Sequence, residues 1–124
     1  MEPENANAMW LSLKQNKIAE KENVNTIADG LALKKPGEKP FGIVQKYVDD
    51  IVLVTEDEIK KALVFLLERA KLLVEPSGAV SVAAAISNQL NLKDKQVVTI
   101  LSGGNIDLDK LKQILKDEVS VIKE

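Results

Sequence analysis

The chain has 124 residues, 45% hydrophobic and 29% charged, and its 17 basic and 19 acidic side chains leave a net charge of −2. That length fits one small domain or a part of a larger one, and mixed charge without a basic stripe argues against nucleic acid as a partner. With no cysteine and no histidine, disulfides, thiolate or imidazole metal sites and histidine-based triads are excluded, so any chemistry must use carboxylates, lysines, hydroxyls, backbone groups or a cofactor.

The first residues, MEPENANAM, are acidic rather than basic and carry no targeting signature. No apolar run approaches the roughly 20 residues of a membrane helix, so a cytoplasmic chain without membrane contact is expected. Over residues 5–15, Ala6, Met9, Trp10 and Leu13 recur at helical spacing and read as a core-facing stripe. A polar connection leads to TIADGLALKKPGEKP, a long loop punctuated by Gly30, Pro36, Gly37 and Pro40. Pro40 suits a first helical position, with Ile43, Val44 and Tyr47 continuing a short helix.

IVLV at 51–54 is short, apolar and mostly β-branched, the pattern of a buried parallel strand. Thr55 followed by Glu58 is a capping box. The helix it announces carries Ile59, Ala62, Leu63, Leu66, Leu67 and Ala70 inward, with Glu56–Lys60 and Asp57–Lys61 as surface pairs. Pro76 holds Glu75 extended and stops that helix, and an Ala-rich helix is expected from Ser77 to about Asn88. QVVTIL, 96–101, reads as a second buried strand, SGGN as a loop, LDKLKQIL as a helix and VSVIK as a short edge strand. Alternating strands and helices give an α/β class with an open, mostly parallel sheet. Two strands against four or five helices make it part of a sheet rather than a whole one.

Two motifs have more than one reading on local grounds. SGGN at the carboxyl end of a strand is either a tight strand-to-helix turn or a ligand loop whose glycines admit close approach, with Ser102 and Asn105 as polar contacts. Glu75, pinned by proline after three apolar residues, is either a helix-start acid that complements the dipole or a buried functional group. Asp29 beside Gly30 reads as a turn, Asp49–Asp50 as a solvated loop, and Trp10 with Met9 as core.

Five ordered blocks, EPENA, TIADGLALKKPGE, YVDDIVLVTEDEI, LLERAKLLVEPSGAV and LSGGNIDL, resemble the threonine and serine dehydratases. These are fold-type II pyridoxal-phosphate enzymes that also include serine racemase, and catabolic threonine dehydratase is the nearest type. The resemblance implies pyridoxal 5′-phosphate as cofactor and a small amino acid as substrate, L-threonine giving 2-oxobutanoate or L-serine giving pyruvate, each with ammonia. It places Ser102 against the pyridine nitrogen, Gly103, Gly104 and Asn105 around the ring, Glu75 beside it, and the Gly30 backbone on the substrate side. Many members bind a divalent cation through a glutamate, a backbone carbonyl and an acidic residue. Glu2 and the Ala6 carbonyl match the first two, but Ala8 stands at the third, which weakens such a site.

The resemblance also implies what residues 1–124 lack. No lysine here stands in the context of the imine-forming lysine, and neither the phosphate-binding glycine run nor the substrate-carboxylate loop is present. The expectation is a single, incomplete unit, the C-terminal portion of the large domain, inactive by itself. It is then expected to associate with a second copy or with a missing N-terminal piece. The alternative is a non-catalytic oligomerisation or ligand-binding module that keeps the fold.

Overall fold

In the computed structural model, which describes residues 1–87 and 89–121 (backbone alone over 119–121), the architecture is α/β. Glu2–Pro3 (β1) pairs in parallel with Leu53–Val54 (β2), Glu2 opposite Leu53 and Pro3 opposite Val54, and the Glu2 N–H donates to the Val52 carbonyl at 3.0 Å. The strand expected at 51–54 therefore forms, over its second half. The strand expected at 96–101 does not: it enters no ladder among the described residues, with Val98 92% and Ile100 75% exposed. Strand character is completed only by a neighbouring backbone, and no described segment pairs with this one. It is tethered instead by a side chain, the Ser81 hydroxyl donating to the Ile100 carbonyl at 2.7 Å.

After β1, a 3-10 turn at Glu4–Ala6 leads into helix α1, Ala8–Gln15. Its buried residues are Ala8 and Ser12, while Met9 and Trp10, expected in the core, are half-buried. Ser12 explains the rotation. Its hydroxyl donates to the Ala8 carbonyl at 2.7 Å and accepts from the Ala19 N–H at 2.9 Å, so the incoming chain covers the small-residue side. Helix α2, Glu38–Tyr47, starts two residues before Pro40, which still lies in the first turn where N–H groups lack helical partners.

Helix α3, Glu56–Phe65, opens with the complete capping box: the Thr55 hydroxyl accepts from the Glu58 N–H at 3.1 Å, and Glu58 Oε2 accepts from the Thr55 N–H at 2.8 Å. Ile59, Ala62, Leu63 and Leu66 are buried as expected. Beyond Phe65 the helix widens into a π-helical turn at Leu66–Ala70, which rotates the remaining residues and leaves Leu67 half-buried and Ala70 exposed. The surface pairs also differ. Lys60 lies 3.8 Å from both Asp57 and Asp117, whereas Glu56 Oε2 accepts from the Ile27 N–H at 2.8 Å.

Helix α4, Pro76–Ile86, has Pro76 at its first position and Glu75 as its extended cap. The expected end near residue 88 lies outside the described residues. Gly78, Ala79, Ala83 and Ala84 are small enough for α4 to lie close against α3, and with Val54, Ile59, Leu63 and Val80 they form the core. Helix α5, Leu108–Val121, contributes Ile114 to that core. It continues through the segment expected as an edge strand, as far as Val121; residues 122 and 123 lie outside the described residues. Among the described residues no helix is long and apolar enough to cross a membrane.

Burial works to raise the Glu58 carboxyl, but hydrogen bonds from the Thr55 amide, the Gln89 side chain and the Thr55 hydroxyl, with the charge of Lys61, outweigh it and hold the group below its ordinary 4.5. A carboxyl held low in the fold stabilises above its ordinary value, and that stabilisation is lost as pH falls through the lowered value. Thermal unfolding followed from neutral to acid pH is expected to show such a loss below about pH 4.5, reduced in Glu58→Gln. At neutral pH Thr55→Ala should cost about 1 kcal/mol.

Candidate functional site

The SGGN loop is locked onto the start of α4. The Glu75 N–H donates to the Gly103 carbonyl at 3.2 Å, and the Asn105 N–H donates back to Glu75 Oε2 at 3.1 Å. Gly103 holds a positive φ of 83°, and a Cβ placed there would fall 2.5 Å from the Glu75 carboxyl carbon. Gly78, on the first turn of α4, is equally tight: a Cβ there would meet the Ser102 carbonyl oxygen at 2.1 Å. Gly103 thus admits close seating of the loop on the Glu75 side chain, and Gly78 close seating of α4 on the Ser102 backbone.

Gly30 arrives on the other side of Glu75. Its N–H donates to the Ser77 hydroxyl at 2.9 Å, and a Cβ on it would stand 3.8 Å from Glu75 Oε1. The 3-10 turn Asp29–Leu31 that carries Gly30 is fixed by Lys110 of α5, whose ammonium donates to Asp29 Oδ2 at 2.6 Å and to the Ile27 carbonyl at 2.8 Å. Asp29 is therefore both a turn residue, as expected, and half of an ion pair spanning 81 positions. An open cleft of about 640 Å³ lies between these pieces, lined by Gly30, Glu75, Ser77, Asn105 and Lys110 among others.

Of the sequence-derived candidates, Gly30, Glu75 and Asn105 converge on this cleft. Gly103 backs it through Glu75, and Gly104 packs behind, where a Cβ would lie 3.2 Å from the Leu73 carbonyl oxygen. Ser102 is not among the cleft-lining residues; it is exposed, with its carbonyl oxygen turned onto Gly78. Ser77 and Lys110 escaped the sequence reading. A serine after a helix-start proline and a lysine on a polar helix face carry no local mark of contacts 47 and 81 residues away.

The remaining candidates lie elsewhere. Glu2 caps α1: Oε1 accepts from the Met9 N–H at 3.1 Å and Oε2 from the Trp10 N–H at 2.8 Å. Burial pushes its carboxyl above the ordinary 4.5, against the pull of those two amides, the chain's amino terminus and Lys21. Ala6 and Ala8 are buried. The Lys21 ammonium donates to the Glu4 carbonyl and to Asn7 Oδ1, each at 2.9 Å. Among the described residues no group of three or more acidic side chains is arranged to hold a metal ion.

The chain as a whole is similar to proteins of known family. A family model described as pyridoxal-phosphate dependent enzyme matches residues 1–103. The L-threonine ammonia-lyase of Thermotoga maritima is 45% identical over 93% of this chain, and a catabolic L-threonine dehydratase of Staphylococcus aureus is 37% identical over 98%. The chain spans only 28% and 36% of those two relatives. Among solved structures, a processed threonine deaminase from Solanum lycopersicum superposes with a TM-score of 0.86 at 36% identity, over 93% of this chain and 34% of that one. Maize serine racemase gives 0.81 at 34% identity, over 99% and 39%.

Urea unfolding checks the lock. Gly103→Ala combines a left-handed backbone with a collision at Glu75 and should cost about 2–4 kcal/mol. Gly42→Ala, in α2 with no atom within 4 Å of the added methyl, is expected to stabilise by about 0.5–1 kcal/mol.

Proposed function

This chain belongs to the pyridoxal-phosphate-dependent enzyme family, and from that membership we propose that it is part of a lyase that converts L-threonine to 2-oxobutanoate and ammonia, or L-serine to pyruvate and ammonia. The observation that carries the reading is the convergence of Gly30, Glu75 and Asn105 on one open cleft beside the SGGN loop. The names borne by the relatives, threonine ammonia-lyase and threonine dehydratase, agree with it.

The residues present suit one side of the cofactor. Gly30, Gly103 and Gly104 bring backbone rather than side chains to the region, and the cleft has room for a flat heterocycle. In this reading the Ser102 hydroxyl, exposed in the SGGN loop and outside the cleft lining, would be the group that hydrogen-bonds the pyridine nitrogen. A neutral hydroxyl does not hold that nitrogen protonated, which tempers electron withdrawal and suits loss of an α-proton followed by a β-hydroxyl. Pyridoxal phosphate, when bound, supplies the electron sink for that elimination. Glu75 acts on the loop: by accepting from Asn105 and donating its backbone N–H to Gly103 it fixes the wall's shape before any ligand arrives.

The lysine that lines the cleft, Lys110, is committed to the Asp29 carboxylate and the Ile27 carbonyl, which suits a structural ammonium and not a free nucleophilic amine. In our reading the imine-forming lysine, the phosphate-binding glycines and the substrate-carboxylate loop come from the portion of the relatives' length that this chain does not span, and the chain alone is inactive. The exposed, unpaired 96–101 segment supports association with that complementary polypeptide. The same apolar segment favours a second reading, a non-catalytic module that associates with another copy through it.

One reconstitution separates the two. The chain is mixed with a polypeptide carrying the portion of the Thermotoga maritima L-threonine ammonia-lyase that it does not match, and ammonia release from threonine is measured with pyridoxal phosphate. Activity is expected only in the mixture, falling roughly tenfold or more in Ser102→Ala, a loss worth about 1.4 kcal/mol. A stable complex that releases no ammonia would favour the non-catalytic module, and release by the chain alone would contradict the division of the site.

A further inference from the structure

The residues around β1 and the start of α1 do not fit a divalent cation. A hard cation needs several oxygen donors directed at one point. Here both oxygens of Glu2 are aimed at the amides of Met9 and Trp10, and the position that would complete the set is the buried methyl of Ala8. A positive charge is nonetheless present. Lys21, partly buried and fixed by its own N–H bond to the Lys34 carbonyl at 2.8 Å, extends its ammonium to the Glu4 carbonyl and to Asn7 Oδ1. These acceptors lie in the turn between Glu2 and α1, and Asn7 is only 8% exposed.

We propose that residues 2–8 hold no divalent ion and that the Lys21 ammonium, through the Glu4 carbonyl and Asn7 Oδ1, organises this turn instead, so that the fold is independent of such an ion. An ammonium carries three donors on a flexible stem and satisfies a backbone carbonyl and an amide oxygen without the near-octahedral set of oxygen ligands that a small divalent ion demands. It also sets a positive charge near the Glu2 carboxylate, whose two amide bonds hold the first turn of α1 against β1.

Thermal unfolding of the chain tests this without any assay of activity. The midpoint should be the same in millimolar magnesium, in millimolar calcium and in EDTA, whereas a rise with either cation that EDTA reverses would overturn the proposal. Lys21→Met should lower the midpoint by roughly 3–8 °C, and an unchanged midpoint would count against it.

Discussion

The structure depends on one reciprocal contact, the seating of the SGGN loop on the cap of α4. Glu75 is the residue where the chain must be extended, because Pro76 forbids helix before it, and its backbone N–H is therefore free to reach Gly103. Its side chain then receives the Asn105 N–H, so one residue holds the loop at two points. The arrangement closes only because Gly103 has no side chain to collide with the carboxylate and accepts a positive φ. A helix start, a loop and a charged group are thereby made into one rigid wall.

Everything else at the cleft is placed relative to that wall. Ser77, two residues along from Glu75, receives the Gly30 N–H and brings the 3-10 turn alongside. Lys110, carried by the helix that follows the loop, reaches back to Asp29 and Ile27 and secures the same turn from the other side. Ile27 is held a second time, by Glu56 at the first turn of α3. Of the two sequence readings of Glu75, the structure shows the helix-start acid; the residue is half-buried rather than buried, and it also lines the cleft.

How much of this the sequence discloses depends on the range of the interactions. The capping box of α3, the proline start of α4 and the long helix after SGGN are written within four or five residues, and each appears where local chemistry puts it. The segment 96–101 has the composition of a strand but needs a partner backbone that composition cannot provide, and it enters no ladder among the described residues. The partner of β2 is the dipeptide Glu2–Pro3, too short to leave a periodic signal. Lys110 and Lys21 read as ordinary surface charges because their partners lie 81 and 14 residues away. Helical spacing of apolar residues likewise reads Ala6, Met9, Trp10 and Leu13 as the inner face of α1, whereas the helix buries the small Ala8 and Ser12 and leaves Trp10 half-exposed under the Lys14 ammonium.

The most direct test of the wall is amide hydrogen exchange at Asn105. This residue is exposed in a loop, and its N–H has Glu75 Oε2 as partner, so exposure and bonding argue for opposite rates. We expect the Asn105 amide to be protected in the unmodified chain and to exchange at the rate of an open loop in Glu75→Ala, with the amides of α3 unaffected. An Asn105 amide that exchanges freely in the unmodified chain would mean that loop and helix cap are not joined, and would contradict the account.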